Sequence, residues 1–264
     1  MASRHTAEVL PPPSDVPAQR AAAPGPGRRG REWWERVIER GRSKCQRALV
    51  YASAALPGGP IAGLCSLTDR IPPSPELLLL SCAQGLFPMD EAGKLRWHAA
   101  DPRAVLMLER LHVPSRVAQY LRKEMFDLRF DNDVEGVLAG CAGREETWLT
   151  PRLIDLYRQL HHLGALHSVE AWQQGRLAGG AFGIALGRVF TVESMFSRVD
   201  HASKIAFVHL AKHLAARGYD CIDCQVQKPH FARFGAVEIS LTEYRERMAR
   251  GLARPALFHS GNRE

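Results

Sequence analysis

The stretch from Tyr219 to Val226 carries the pairing most suited to chemistry. It reads as a β-strand, so alternate residues share a face: Cys221, Asp223 and Gln225 on one side, Ile222, Cys224 and Val226 on the other. Alternate residues stand roughly 6.5–7 Å apart, close enough for the Asp223 carboxylate and the Gln225 carboxamide to meet. Such a pair on an apolar strand is costly to bury unless both groups find partners. Two readings stay open at this point, a polar strand end or a proton-handling pair. Glu193 is a second isolated acid among apolar residues, expected on the same face as Thr191 and Met195. It suits either an ion pair, with Arg198 for instance, or the gripping of an ammonium group by charge-assisted hydrogen bonds. Ser197-Arg198 and Ser203-Lys204 flank a helix start at 203. Helix N-termini offer free N–H groups to anions, and Arg and Lys beside one suit a nucleic-acid phosphate or ribose. A plain N-cap accounts for Ser203 equally well.

The elements that must position these groups follow from pattern. Ser74-Pro75 opens a helix running to Gly85, with Ser as cap and Pro at the first position. The segment Gly85–Met89 reads as a turn, and Trp97–Arg103 leads into an apolar strand over Ala104–Leu108. Ser115 opens a helix toward Phe126, and a further helical pattern covers Asp131–Ala142. Thr150-Pro151 opens the clearest helix, with the stripe Leu153, Leu156, Tyr157, Leu160 and Leu163 and a stop at Gly164. Strands then follow over His167–Gln173, Arg176–Leu186 and Arg188–Phe196, an antiparallel meander with turns at Gln174-Gly175 and Gly187. A helix over Ser203–Arg217 precedes the strand of Asp223. A strand, helix, strand order requires a crossover, so the last two strands are expected to be parallel neighbours.

The chain has 264 residues, 45% of them hydrophobic and 24% charged, enough to bury a core without staples. Its net charge of +7 points to an anionic partner, nucleic acid first. The six cysteines are scattered, which suits a reducing cytoplasm. Cys221 and Cys224 have C-x-x-C spacing, but a strand points them to opposite faces and no second pair completes a tetrahedral site, so no metal is expected. No apolar run is long enough to span a membrane, and no apolar segment follows Arg4 to make a secretory signal. Residues 1–31, rich in Pro, Ala, Gly and Arg, read as a disordered tail, and Trp33–Ala54 as a helix.

An ordered set of blocks resembles the leucyl/phenylalanyl-tRNA–protein transferase family. They are Gly85-Leu86-Phe87-Pro88-Met89, Trp97 with Asp101-Pro102-Arg103-Ala104-Val105, Thr147-Trp148-Leu149-Thr150-Pro151, Tyr157-Arg158-Gln159-Leu160-His161 and His167-Ser168-Val169-Glu170-Ala171-Trp172. Glu193-Ser194-Met195-Phe196-Ser197-Arg198, Ala202-Ser203-Lys204, Ile222-Asp223-Cys224-Gln225 and Gly235-Ala236-Val237-Glu238-Ile239 follow in order. The resemblance implies an α/β (α+β) fold: a GNAT-like mixed sheet with flanking helices in a C-terminal domain, plus a smaller N-terminal domain. The expected division is a tail over 1–31, an N-terminal domain over 32–108, the transferase domain over 109–250 and a C-terminal tail over 251–264. Acetyl-CoA is not expected, because the lead-in Arg198-Val199-Asp200-His201-Ala202-Ser203-Lys204 has no glycine to cradle a pyrophosphate and places an acid there.

The implied activity moves Leu or Phe, and sometimes Met, from aminoacyl-tRNA to the N-terminal Arg or Lys of acceptor proteins, marking them for degradation. No cofactor is implied, and a cytoplasmic monomer is expected. By position, Asp223 and Gln225 match the catalytic pair, Gln225 being polarised by Asp223, while another account gives the proton step to the tRNA ribose. Glu193 matches a residue near the aminoacyl α-amine. Ser194, Met195, Phe196 and Ser197 fall to substrate binding, and Trp97 and Trp148 to the terminal adenosine. Arg198 and Lys204 fall to tRNA. Departures from the family pattern at His98, Val192, Lys228 and Phe234 leave the donor and acceptor amino acids open. The alternatives are a transferase acting on another amine and a tRNA-binding relative without catalysis, the latter opposed by retention of Asp223, Gln225 and Glu193 together.

Overall fold

The computed structural model describes residues 73–91, 94–143 and 147–259. The expected tail and the helix over Trp33–Ala54 lie outside them. The first described helix, α1 (Pro75–Ala83), begins where its cap dictates: the Ser74 hydroxyl accepts the Leu77 N–H at 3.2 Å, and proline occupies the first helical position. Past Gly85 the chain makes a hairpin, β1 (Leu86–Glu91) with β2 (Lys94–Ala99), where a turn was expected over Gly85–Met89. β3 (Arg103–Met107) follows, buried at every residue. A single 3₁₀ turn leads to α2 (Ser115–Arg122), which stops short of the expected Phe126. β4 (Asp127–Phe130), only four residues long, occupies the residues beyond.

The helix expected from Asp131 starts later, as α3 (Val134–Ala142). Asp133 is its cap, accepting the Gly136 N–H at 2.9 Å. α4 (Pro151–His162) buries Leu153, Leu156, Tyr157 and Leu160, most of the stripe read from the sequence. The meander is present as β5 (Leu166–Gln173), β6 (Arg176–Leu186) and β7 (Val189–Ser197), paired antiparallel. α5 (Ala202–Ala216) crosses over to β8 (Cys221–Gln225), which runs parallel to β7 as the crossover argument requires. α6 (Pro229–Arg233), β9 (Val237–Ile239) and α7 (Leu241–Ala253) complete the chain. The buried Leu241, Tyr244 and Met248 of α7 recur at helical spacing, a signal present in the sequence.

Seven strands form one mixed sheet in the order β4-β5-β6-β7-β8-β3-β9, and helices cover both faces. One core, including Leu78, Val105, Leu138, Tyr157, Phe182 and Tyr244, lies on the side of α1, α3, α4 and α7. The other, including Leu106, Phe190, Phe207, Ile222 and Phe234, lies on the side of α5 and α6. Double coverage explains why β3, past Arg103, is a continuous apolar run. β3, which precedes residue 109, is hydrogen-bonded in this sheet between β8 and β9. Past α7 the chain packs back, with Phe258 only 4% exposed. Among the described residues, no helix is long and apolar enough to cross a membrane.

The β6–β7 turn shows what one glycine does for this architecture. Gly187 sits at φ +63°, and a Cβ there would stand 2.6–2.7 Å from the backbone of Gly251 and Leu252 in α7. Gly187→Ala is therefore expected to combine backbone strain with a clash against unyielding main chain. A loss of roughly 1–3 kcal/mol is expected, read as a lower urea midpoint at unchanged m-value.

Candidate active site

The site is built by two breaks in strand alternation. In β7, Val192 pairs with Gly183 and Ser194 pairs with Phe182, so Glu193 is an extra residue in a β-bulge. Gly183 permits the close approach, since a Cβ there would stand 2.2 Å from the Thr191 carbonyl oxygen. The bulge re-phases the strand. Val189 and Phe196 join the first core, while Met195 packs against the second. The face expected to hold Glu193, Thr191 and Met195 together is therefore corrected: the extra residue sends Met195 to the opposite side of the sheet from Val189, with which strict alternation would have grouped it.

Glu193 is 8% exposed. Its Oε2 accepts from the Tyr157 hydroxyl at 3.1 Å and from the Gln225 Nε2 at 3.4 Å. Its Oε1 is buried with no hydrogen-bond partner among the described residues. Burial pushes the Glu193 carboxyl up to about 7; the Tyr157 hydrogen bond pulls it down, and the charge of Asp223 pushes it further up. Arg198, considered in the sequence as its ion-pair partner, is exposed. Its guanidinium lies 5.2 Å from the Phe196 ring centre, and its Nη1 donates to the Leu177 carbonyl.

The second break lies at the end of β8, where Ala104 pairs with Gln225 and Val105 with Asp223, leaving Cys224 as the extra residue. Gln225 then turns into the left-handed region at φ +61°. This places its backbone N–H on Asp223 Oδ1 at 2.9 Å and carries its carboxamide away, toward Glu193. The pairing read from strict alternation is corrected accordingly: Asp223 holds Gln225 through the main chain, with no hydrogen bond between the two side chains.

Asp223 is fully buried and saturated. Arg103 donates Nε to Oδ1 at 2.9 Å and Nη2 to Oδ2 at 2.6 Å, a bidentate ion pair. The Tyr244 hydroxyl donates to Oδ2 at 2.9 Å and the Thr191 hydroxyl at 3.3 Å. Arg103, 1% exposed, spends its Nη1 on the Gly85 carbonyl at 2.7 Å and lies 4.7 Å from the Tyr244 ring centre. One buried cation thus ties β3, β8, α7 and the end of α1 together.

The remaining candidates divide. Ser194 lies on the Phe182 side of β7 and is half-buried, and Phe196 is buried on that face. Trp148 is half-buried and stands edge-on to Tyr157 with ring centres 6.3 Å apart, which links it to Glu193. Trp97 is 7% exposed, within the first core. Ser197 caps α5 from a distance, its hydroxyl accepting the Ser203 N–H at 2.9 Å. Ser203 lies inside the helix, so the N-cap role weighed for it falls to another residue. Lys204 is half-buried in the first turn of α5. Arg103, Tyr157, Thr191 and Tyr244 had been given no role in the site. The signal for Arg103 is available: a carboxylate on a buried strand needs a buried cation, and Arg103 opens β3, whose other residues are all apolar.

The crossover α5 between the parallel pair β7 and β8, with two buried carboxylates at the sheet's irregularities, defines a mixed α/β protein. A family profile described as leucyl/phenylalanyl-tRNA protein transferase matches residues 105–249. The chain is 44% identical over 193 residues to a leucyl/phenylalanyl-tRNA–protein transferase of Herpetosiphon aurantiacus, covering 73% of this chain and all of that one. It is 48% identical to a relative of the same name from Rubrobacter xylanophilus, covering 68% of this chain and 95% of that one. The chain belongs to the leucyl/phenylalanyl-tRNA–protein transferase family. Among solved structures, L-PGS from Bacillus licheniformis aligns at 11% identity and a TM-score of 0.38, over 58% of this chain and 65% of that one.

Proposed function

We propose that the chain transfers Leu or Phe, and Met as a further donor, from aminoacyl-tRNA to the N-terminal Arg or Lys of acceptor proteins, marking them for degradation. The observation that carries this reading is Glu193: a buried carboxyl with one oxygen held by Tyr157 and Gln225 and the other unpartnered. An α-ammonium group satisfies such an oxygen by a charge-assisted hydrogen bond. Family membership supplies the substrate class.

In the reaction, the acceptor α-amine attacks the carbonyl carbon of the aminoacyl ester. The C–N bond forms, the C–O bond to the terminal ribose breaks, and the amine proton passes to the departing ribose oxygen. An ester is already activated, so the protein's contribution is positioning and proton handling. With the Gln225 Nε2 committed to Glu193, its carboxamide oxygen is the atom left to accept a hydrogen bond from the incoming amine. Asp223 acts as a positioning residue, fixing the backbone of Gln225. Ser194 and Phe196 adjoin the donor side chain, Trp148 stacks on the terminal adenosine, and Ser197, Arg198 and Lys204 contact the tRNA at the head of α5. The protein acts as a cytoplasmic monomer.

The test mixes purified protein with labelled Leu-tRNA or Phe-tRNA and peptides beginning with Arg, Lys or Ala. Label is expected on the Arg and Lys peptides and not on the Ala peptide. Retained tRNA binding without transfer to any peptide would replace this reading by that of a binding module.

A further inference from the structure

At the β4 edge of the sheet, away from Glu193 and Asp223, three side chains from separate segments converge. Asp131 follows β4 at φ +53°. Its Oδ2 is met by the His167 Nδ1 at 2.7 Å and by the His259 Nε2 at 2.6 Å. The three atoms lie within 4.8 Å of one another. Each group is also held by something else. Asp131 Oδ1 accepts the Ser168 N–H at 2.7 Å, which aims Oδ2 at the two rings. His167 stacks on Phe258, ring centres 4.0 Å apart and planes 5° apart. The His259 carbonyl accepts from the Arg217 Nη2 at 2.8 Å, and the Leu257 carbonyl accepts from the Arg217 Nε at 3.0 Å. Burial raises the Asp131 carboxyl, but the charge of His167 and the hydrogen bonds from both rings outweigh it and hold the group well below the usual carboxylate range.

We propose that Asp131 Oδ2, His167 Nδ1 and His259 Nε2 bind a zinc-class divalent transition-metal ion. Two imidazoles and a carboxylate on three separate segments form a donor set that favours such ions over magnesium or calcium, which take oxygen. An orienting hydrogen bond on the ligating carboxylate is the support such sites employ. Bonds of about 2.0–2.2 Å in a tetrahedral site separate ligand atoms by roughly 3.3 Å, so each ring must withdraw by about half an ångström. His259 has that freedom: its side chain is 35% exposed and lies past the last helix, while that of Asp131 is 13% exposed and gives the ion an approach. Each ligating nitrogen gives up the proton it directs at Oδ2 so that its lone pair faces the ion. The ion fastens the segment after α7 to β5 and the end of β4, and because it binds only the folded chain it stabilises the fold by mass action.

The alternative is a hydrogen-bonded clamp without metal. The experiment strips the full chain with a chelator and titrates zinc against a chromophoric chelator while following the thermal midpoint. One zinc per chain is expected, with a rise in the midpoint that magnesium does not reproduce. His259→Gln keeps a donor for Asp131 but removes a ligand; zinc binding is expected to weaken by at least about tenfold, and the rise to vanish. Equal zinc affinity in His259→Gln, no stoichiometric zinc in the unaltered chain, or an equal response to magnesium overturns the site. Cobalt(II) on the unaltered chain gives an independent reading. A visible ligand-field band without thiolate charge transfer supports the site, and a thiolate band places the metal on cysteines and overturns it.

Discussion

Asp223→Asn is expected to lose both stability and transfer, and by more than any substitution elsewhere in the site. The substitution keeps shape and removes charge. Arg103, 1% exposed, would then face a neutral amide. One amide oxygen also cannot accept from Arg103, Tyr244, Thr191 and the Gln225 N–H together, and the amide nitrogen would meet at least one donor head-on. Removing one partner of a buried pair typically costs about 3–5 kcal/mol, because the other charge stays behind unpaired. Chemical denaturation should register that loss. Turnover of Leu-tRNA should fall sharply in whatever fraction stays folded, because Gln225 loses its anchor. A double substitution, Arg103→Met with Asp223→Leu, separates the two effects. It is expected to recover much of the stability, since buried pairs often yield to apolar groups at little cost, and none of the transfer. Recovery of transfer in the double variant would remove the positioning role from Asp223.

Glu193→Gln should change the pH behaviour in two ways of opposite sign. The folded carboxyl titrates at about 7, above its usual value of 4.5, so between those values the folded state holds a proton the unfolded chain has released. A raised carboxyl favours the fold below the unfolded value, and that contribution drains away as pH rises through the folded one. The unaltered protein should therefore lose stability from about pH 4.5 to about pH 7 through this group, and Glu193→Gln should lose less. Activity runs the other way. Gripping an ammonium needs the ionised form, so transfer should rise with pH through about 7 in the unaltered protein and be low and flat in the variant. A rising limb that persists unchanged in Glu193→Gln would assign it to another group.

What could be read from sequence and what could not divides along physical lines. Helix starts with a Ser or Pro signal, the glycine-bearing hairpin turns and the parallel pairing of β7 with β8 were all legible, because each is set by local sterics or chain handedness. β4 does alternate, Asp127 and Arg129 against Leu128 and Phe130, but four residues are too short a run to tell a strand from the end of the preceding helix. The two bulges were invisible for a different reason: alternation is the assumption by which a strand is read, and a bulge breaks it without a composition signal. So Asp223, Gln225 and Glu193 were found as residues, while their contacts were not. The distribution of donors around Asp223 was legible only in part: the need of Asp223 for a buried cation points to Arg103, but nothing local announces Tyr244, which long-range packing brings to the same carboxylate.

That distribution has a consequence for when the protein becomes active. The Arg103 bond to Asp223 closes over 120 residues of intervening chain, and Tyr244, 21 residues beyond Asp223, is the last donor to be synthesised. Contacts of such high sequence separation pay their loop-closure entropy before any bond rewards it. A nascent chain that has emerged only as far as β8 holds a buried acid without its full shell. The site therefore matures as one of the last events of folding, and an interrupted translation product lacking α7 should be inert.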